Sequence, residues 1–163
     1  MSDLVRPLRA PQGFVAPQRL EYGELVATPI DRHDLDDDVA GINANLDLIA
    51  STRGGGWPTS PVTSDDNYVD IVWHELEFRE NYSYTYALRR RDGTYVGNAY
   101  LYPVGRRIPV CRHPDSDVDV SWWVTRAAYE AGLYATVYRA LQRWAVSDFP
   151  FRRPVYSNDE IPT

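Results

Sequence analysis

Apolar and polar positions alternate from Leu20 through Ala27, with Leu20, Tyr22, Glu24 and Val26 set against Glu21, Gly23, Leu25 and Ala27, which predicts a first β-strand. Residues 1–19 carry Pro7, Pro11 and Pro17 without periodicity and read as an extended N-terminal arm on a single domain of residues 20–163. After the strand the period lengthens. Val39, Ile42, Leu46 and Ile49 make one stripe at helical spacing, with Asp34 expected as N-cap and Asp36, Asp37 and Asp38 in the first turn, where negative charge complements the free amides. Arg53 and Gly54 close that helix. "GGGWPTSP" is a loop, and Thr63 or Ser64 starts a second helix whose buried face is expected to be Val69, Val72, Trp73 and Leu76.

"YSYTYALRRR", Asp92-Gly93 and "TYVGNAYLYP" then read as a hairpin. "DVDVSWWV" is a further strand, followed by a long helix from about Ala127 to Val146 with Leu133, Val137, Leu141 and Trp144 on its inner face. Asp148 to Pro150 stop it, and "RRPVYSN" is a short last strand. This order predicts an α+β fold, layered α/β/α, with helices on both faces of a sheet. The hairpin makes the sheet mixed and mainly antiparallel, not a pure Rossmann winding.

A chain of 163 residues is the size of one domain. Its net charge of −6 and pI near 5.0 argue against a nucleic-acid partner, which needs a basic face. All 17 basic residues are Arg, so no lysine is present to form a Schiff base. Cys111 is the single cysteine and suits a reducing compartment; with no apolar run of signal-peptide or membrane-span length, a cytoplasmic location and no membrane partner are expected.

The candidate chemistry is concentrated in a few stretches. "CRHPDSDVD" brings Cys111, His113, Asp115, Asp117 and Asp119 together, but it lacks the glycine and the twelfth-position glutamate of a calcium loop and the ligand spacing of a zinc site, so no metal is expected. His33, His74 and His113 lie on different elements and suggest no catalytic triad. Arg89 to Arg91 flank a hairpin tip and read as a solvated turn. The three glycines before Trp57 permit unusual backbone angles and mobility and read as a flexible connector. In "VSWWVTRAAYEAGLY" a strand runs directly into a helix, whose first amides and dipole suit an anion.

"DGTYVGNAYLYP", "DVDVSWWV" and "GLYATVYRALQRW" resemble the third strand, the fourth strand and the acyl-CoA helix of small bacterial members of the GNAT superfamily of acetyl-CoA-dependent N-acyltransferases. The resemblance runs from about Leu20 to Thr163. It implies that the fourth and last strands splay apart, that the pantetheine arm of acetyl-CoA, the cosubstrate, enters between them, and that helix amides hold its diphosphate. Trp123, Val124, Thr125, Arg126, Ala131, Gly132 and Leu133 would form that cofactor site. The family's glycine-rich signature, aligned on Gly132, places Ala127 at its Arg or Gln position and Glu130 at its first Gly; Glu130 either points into solvent or fills the anion site. By the same resemblance Asp119 is the candidate base, with Asp117 in reserve, although Asp119 also reads as a solvent-facing residue of an alternating strand. Tyr134 is the candidate acid for the leaving thiolate, with Tyr156 behind it, although Tyr134 also reads as core packing. Trp57, Asp117 and Tyr156 would line the acceptor pocket.

The acceptor would be an amine on a small molecule or a peptide. The family's usual C-terminal helix and hairpin are not expected here, which leaves the last strand with an open edge suited to a homodimer. An alternative to the acyltransferase is a GNAT-fold binding or interaction module without turnover.

Overall fold

The computed structural model describes residues 4–163; the first three residues of the expected arm lie outside the described residues. Six strands form one sheet in chain order: β1 (Leu20–Tyr22), β2 (Leu25–Pro29), β3 (Tyr84–Arg90), β4 (Tyr95–Tyr102), β5 (Val118–Val124) and β6 (Pro154–Tyr156). Every pairing is antiparallel except the last, where β6 runs parallel to β5. The helices are α1 (Leu35–Ala44), α2 (Leu46–Arg53), α3 (Ser64–Arg79), α4 (Arg126–Glu130) and α5 (Leu133–Ser147). The fold is therefore mixed α+β, as the order of periodic segments predicts.

Strand side chains alternate between two cores. Val118, Val120 and Trp122 of β5 pack in one cluster with Val137, Leu141 and Trp144 of α5. Trp123 projects to the opposite face, where it joins Ile42, Ile49, Tyr100 and Tyr102. Trp122 and Trp123 are both fully buried, so β5 is the central strand of the site and carries a large ring into each layer.

The structure corrects the expected elements in several places. The first strand is a hairpin, β1 and β2 turning at Gly23-Glu24, because a two-residue turn leaves an alternating pattern unbroken. The first helix is two helices. Asn45 stands at the break, its Nδ2 donating to the Gly41 carbonyl (2.7 Å) while its Oδ1 accepts from the Arg126 amide (2.8 Å), which ties the break to the start of α4. Asp34 stands at the N-cap of α1 as expected, but its side chain makes no cap bond there: a 3-10 turn over Arg32–Asp34 precedes the helix, where Asp31 accepts from the His33 amide and Asp34 accepts from the Asp31 amide and from Arg89.

The inner face of α3 is Asn67 and Ile71 with His74 and Phe78, while Val69, Val72 and Trp73 are exposed. Asn67 is drawn inward by its bond to the buried Asp38 (2.7 Å), so hydrophobicity does not mark that face. Thr63 caps α3 by accepting from the Asp66 amide. The long last helix is divided at Ala131-Gly132, and α5 begins only after Gly132, whose φ of +82° is left-handed.

The β3–β4 hairpin turns at Asp92-Gly93 as expected and carries a bulge opposite Leu88 and Arg89. The segment before β1 is irregular over its described residues and joins the sheet region by a single bridge, Arg6 with Val104. Among the described residues no helix is long and apolar enough to cross a membrane.

Candidate functional site

Strands β5 and β6 pair only from Val118–Pro154 to Val120–Tyr156, and the Ser157 amide still donates to the Val120 carbonyl (2.9 Å). The chain then leaves β5. The Asn158 side chain stands in for a strand: its Oδ1 accepts from the Trp122 amide (3.1 Å) and its Nδ2 donates to the Trp122 carbonyl (2.9 Å). The following amides of Asp159 and Glu160 donate to the Arg53 and Thr52 carbonyls at the end of α2. Tyr134 faces this segment from α5, donating to the Glu160 carbonyl (2.6 Å) and accepting from Asn158 (2.8 Å). Burial raises the Tyr134 pKa, with the Asn158 bond opposing.

Asp119 is 1% exposed on the other face of β5, so it is not the solvent-facing residue of an alternating strand. All seven residues of β5 are buried between helical layers, and alternation here separates two interiors. Ser157 Oγ donates to Asp119, and Arg107 Nη1 donates to the same Ser157 oxygen (2.6 Å). Burial raises the Asp119 pKa, while the Ser157 bond and the charges of Arg107 and Arg53 pull it down. A carboxylate so placed is a base with a raised proton affinity. Asp117 is committed elsewhere, accepting from the Arg152 and Arg153 amides (2.8 and 2.9 Å). Tyr156 lies on the α5 face, its ring edge-on to Tyr138, and burial pushes its pKa up to about 12.

The amides expected to bind a diphosphate are mostly taken. Those of Arg126, Ala128, Tyr129, Ala131 and Gly132 donate to Asn45, Thr125 Oγ1, Thr125, Ala127 and Tyr129. The open helix start is one step further on, at Leu133, where no side chain caps α5. Glu130 is exposed and forms no ion pair among the described residues. The nearby carboxylate is Glu160, which accepts from the Tyr129 hydroxyl (2.8 Å) and lines a hollow of about 290 Å³ with Gly132 and Tyr134. Trp123 donates to the Tyr100 hydroxyl (2.9 Å), Val124 ends β5, and Thr125 caps α4.

On the Asp119 face, Trp57 packs against the Ile42 cluster, and Gly54, Gly55 and Gly56 have φ of +72°, +79° and +78°. His74 meets Thr85 Oγ1 (3.0 Å) and stacks near Tyr102. Burial, then the Arg106 charge, lowers its pKa from 6.5 to about 4. Between those values the unfolded chain holds the proton and the folded one does not, so stability rises with pH across the window and falls as pH drops from 6.5 toward 4. The loss is expected to reach about 3 kcal/mol. Thermal melts at several pH values should show it, and His74→Gln should flatten the dependence in that window.

No protein-family model matches the chain, and no curated protein matches it in sequence. Solved structures match it in shape. RimL, a ribosomal L7/L12 α-N-protein acetyltransferase in complex with coenzyme A, superposes with a TM-score of 0.60 at 12% identity, covering 83% of this chain and 71% of that one. A Bordetella pertussis protein assigned to the GnaT-family acetyltransferases gives 0.58 at 19% identity, over 80% and 73%. The chain has the GNAT fold.

Another protein of that fold is the microcin C7 self-immunity acetyltransferase MccE, in complex with acetyl-CoA and AMP, at TM-score 0.58 and 12% identity, over 78% of this chain and 66% of that one. The chain thus spans about two thirds of the length of such structures. Within the GNAT fold, β5 and β6 are the pair that separates, and α5 begins at the open end of that separation. The structure brings Asp119 and Trp57 to one face of the sheet and Tyr134 and Tyr156 to the other. Sequence reasoning missed Arg53, Arg107, Ser157, Asn158 and Glu160. Only the polar run "YSNDE" after an apolar strand hints at the last three.

Proposed function

We propose that the chain is an acyl-CoA-dependent N-acyltransferase, with an acetyl group as the first candidate and an amine as acceptor. The observation that carries this reading is Asp119: a buried carboxyl of raised proton affinity beside the point where β5 and β6 part. Bound acyl-CoA supplies the thioester, whose C–S bond breaks as the amide C–N bond forms. Asp119 takes the proton from the attacking amine. Tyr134 gives one to the departing sulfur, which requires its hydroxyl to turn away from the Glu160 carbonyl. Asp119 and Tyr134 are both held on buried core elements, so holding the reactants together supplies much of the rate.

What supports the cosubstrate at the helix end is that α5 has no side-chain cap at its N-terminus and that Glu130, being exposed, is free to move aside. Release of thiol from acetyl-CoA in the presence of a panel of amines tests the reading directly; no amine-dependent release from any member would count against it. Glu130→Gly is expected to change the acetyl-CoA dissociation constant by less than about threefold, because an exposed unpaired carboxylate is screened by solvent. A gain of ten times or more by that variant would show that Glu130 obstructs the anion.

A second reading, a GNAT-fold module without turnover, is favoured by one feature. Asn158 already satisfies the Trp122 backbone that faces the separation, and Glu160 closes over Tyr134. If residues 158–160 stay in place when acetyl-CoA is added, as read by amide exchange, the module is the better account.

A further inference from the structure

The Asp119 face carries two adjacent arginines, neither in a direct ion pair among the described residues. Arg53 is 5% exposed, with its guanidinium 3.9 Å from the centre of the Tyr100 ring and 5.5 Å from that of Trp57. Only its Nε is used, donating to Ser121 Oγ (3.2 Å); its two terminal nitrogens have no hydrogen-bond partner among the described residues. Arg107 lies against it and donates to the Arg53 and Gly54 carbonyls (3.1 and 3.3 Å) as well as to Ser157. Burial, then the charge of Arg53, lowers the Arg107 pKa to about 10. Neither guanidinium has a carboxylate within ion-pair distance among the described residues, although Arg89 and Arg106 do.

Two adjacent cations therefore lie beside Asp119, which is held to Arg107 through Ser157. Other acidic groups share this face: Asp38 is buried beyond Tyr100 in hydrogen bonds from Asn67, Tyr95 and Asn98, and the Asp159 carboxylate lies against Gly54, but neither is within ion-pair distance of Arg53 or Arg107. Arg106 is matched by Glu77, and His74 is neutral at ordinary pH. A guanidinium cannot readily lose its proton, so the terminal nitrogens of Arg53 that no protein group uses stay charged and open to a ligand or to solvent.

We propose that Arg53 and Arg107 form an anchor for an anionic group, a carboxylate or a phosphate, carried by the amine acceptor. The proposal rests on the acyltransferase reading for the identity of that ligand as acceptor. The free terminal nitrogens of Arg53 supply a planar fork suited to two oxygens of such a group. Tyr100 and Trp57 hold that fork flat, and the left-handed glycines of residues 54–56 form the adjoining edge of the site. An acceptor with its anion on Arg53 presents its amine toward Asp119, on the same sheet face. The class of acceptor is then an amine bearing an acidic group a few bonds away, rather than a polyamine.

The test uses three amines on one two-carbon skeleton: O-phosphoethanolamine, β-alanine and ethanolamine. Each is titrated into the full chain by calorimetry and by tryptophan emission, since Trp57 and Trp123 border the site. At least one of the two acidic amines is expected to bind about tenfold or more tightly than ethanolamine, a difference of about 1.4 kcal/mol. Whichever is preferred assigns phosphate or carboxylate. Arg53→Met is expected to abolish the preference while circular dichroism is unchanged. Should that variant not fold, inorganic phosphate must compete with the preferred amine in the native chain. Equal binding of all three amines, no binding of either acidic amine at millimolar concentration, a preference retained by Arg53→Met, or no competition by phosphate overturns the proposal. A separate acetyl-CoA titration keeps the two readings apart. Acidic-amine preference without acetyl-CoA binding leaves the anion site standing and removes the transferase, and the reverse removes the anion site alone.

Discussion

Asp119→Asn is expected to lower kcat for amine acylation by about 10² to 10³, the range for loss of a positioned general base. Asn keeps the shape of the side chain and can still accept from Ser157, so the acetyl-CoA dissociation constant should not move. The pH profile gives the sharper reading. The active form is the carboxylate, so the native rate should rise with pH through the Asp119 pKa, which burial places above the usual aspartate value. The Asn variant should lose that acidic limb.

Stability runs the other way. A carboxyl whose folded pKa is raised favours the fold most below its unfolded pKa, and that contribution is lost as pH rises through the folded value. At neutral pH the ionised Asp119 is therefore a cost to folding. Asp119→Asn should melt at the same temperature as the native chain or higher, a trade of stability for activity that a purely structural aspartate would not show. A variant that loses activity together with its fold would remove Asp119 from the catalytic role.

Gly97→Ala is expected to destabilise the chain by about 4 kcal/mol or more, the sum of a backbone conformation reserved for glycine and forced overpacking. Gly97 has φ of +153°, and a Cβ there would lie 2.0 Å from the Trp123 carbonyl oxygen and 2.8 Å from Val124 Cα. Both contacts are backbone, so no rotamer change relieves them. Gly97 pairs with Val124 directly beside the bulge, and β5 must lie close to β4 here for Trp123 to reach Tyr100. Denaturant unfolding checks the value. A loss below about 1 kcal/mol would mean that β4 and β5 separate more easily than this packing allows.

The parts of the fold that were legible in the sequence are those where one physical requirement writes one pattern. The β3–β4 hairpin is marked by Asp92-Gly93, α3 starts at the Thr63 cap, and the α5 stripe of Leu133, Val137, Leu141 and Trp144 is buried as spaced. The parts that were not legible are those where a polar group is buried for a partner distant in sequence. Asn67 turns α3 toward Asp38, and Asn45 breaks a helix to reach Arg126, so the outward Val69, Val72 and Trp73 read wrongly as core.

The candidate site divides in the same way. Asp119 and Trp57 can be named from their strand and loop. Asn158 acts on a backbone 36 residues away, and Arg53 meets Ser121 across 68, separations that no local pattern records. The candidate diphosphate position moves for a related reason: Gly132 ends one short helix and starts another, and a lone glycine inside a helical pattern does not by itself distinguish a joint from a tolerated interior residue.

The central claim is that this GNAT fold still receives acyl-CoA between β5 and the chain leaving β6. Calorimetric titration of acetyl-CoA into the full native chain tests it most directly. The account predicts one site with a dissociation constant on the order of micromolar, about 8 kcal/mol of binding free energy, and loss of the protection of the Glu160 amide as that segment gives way. Absence of binding at millimolar acetyl-CoA, with the chain folded, would contradict it.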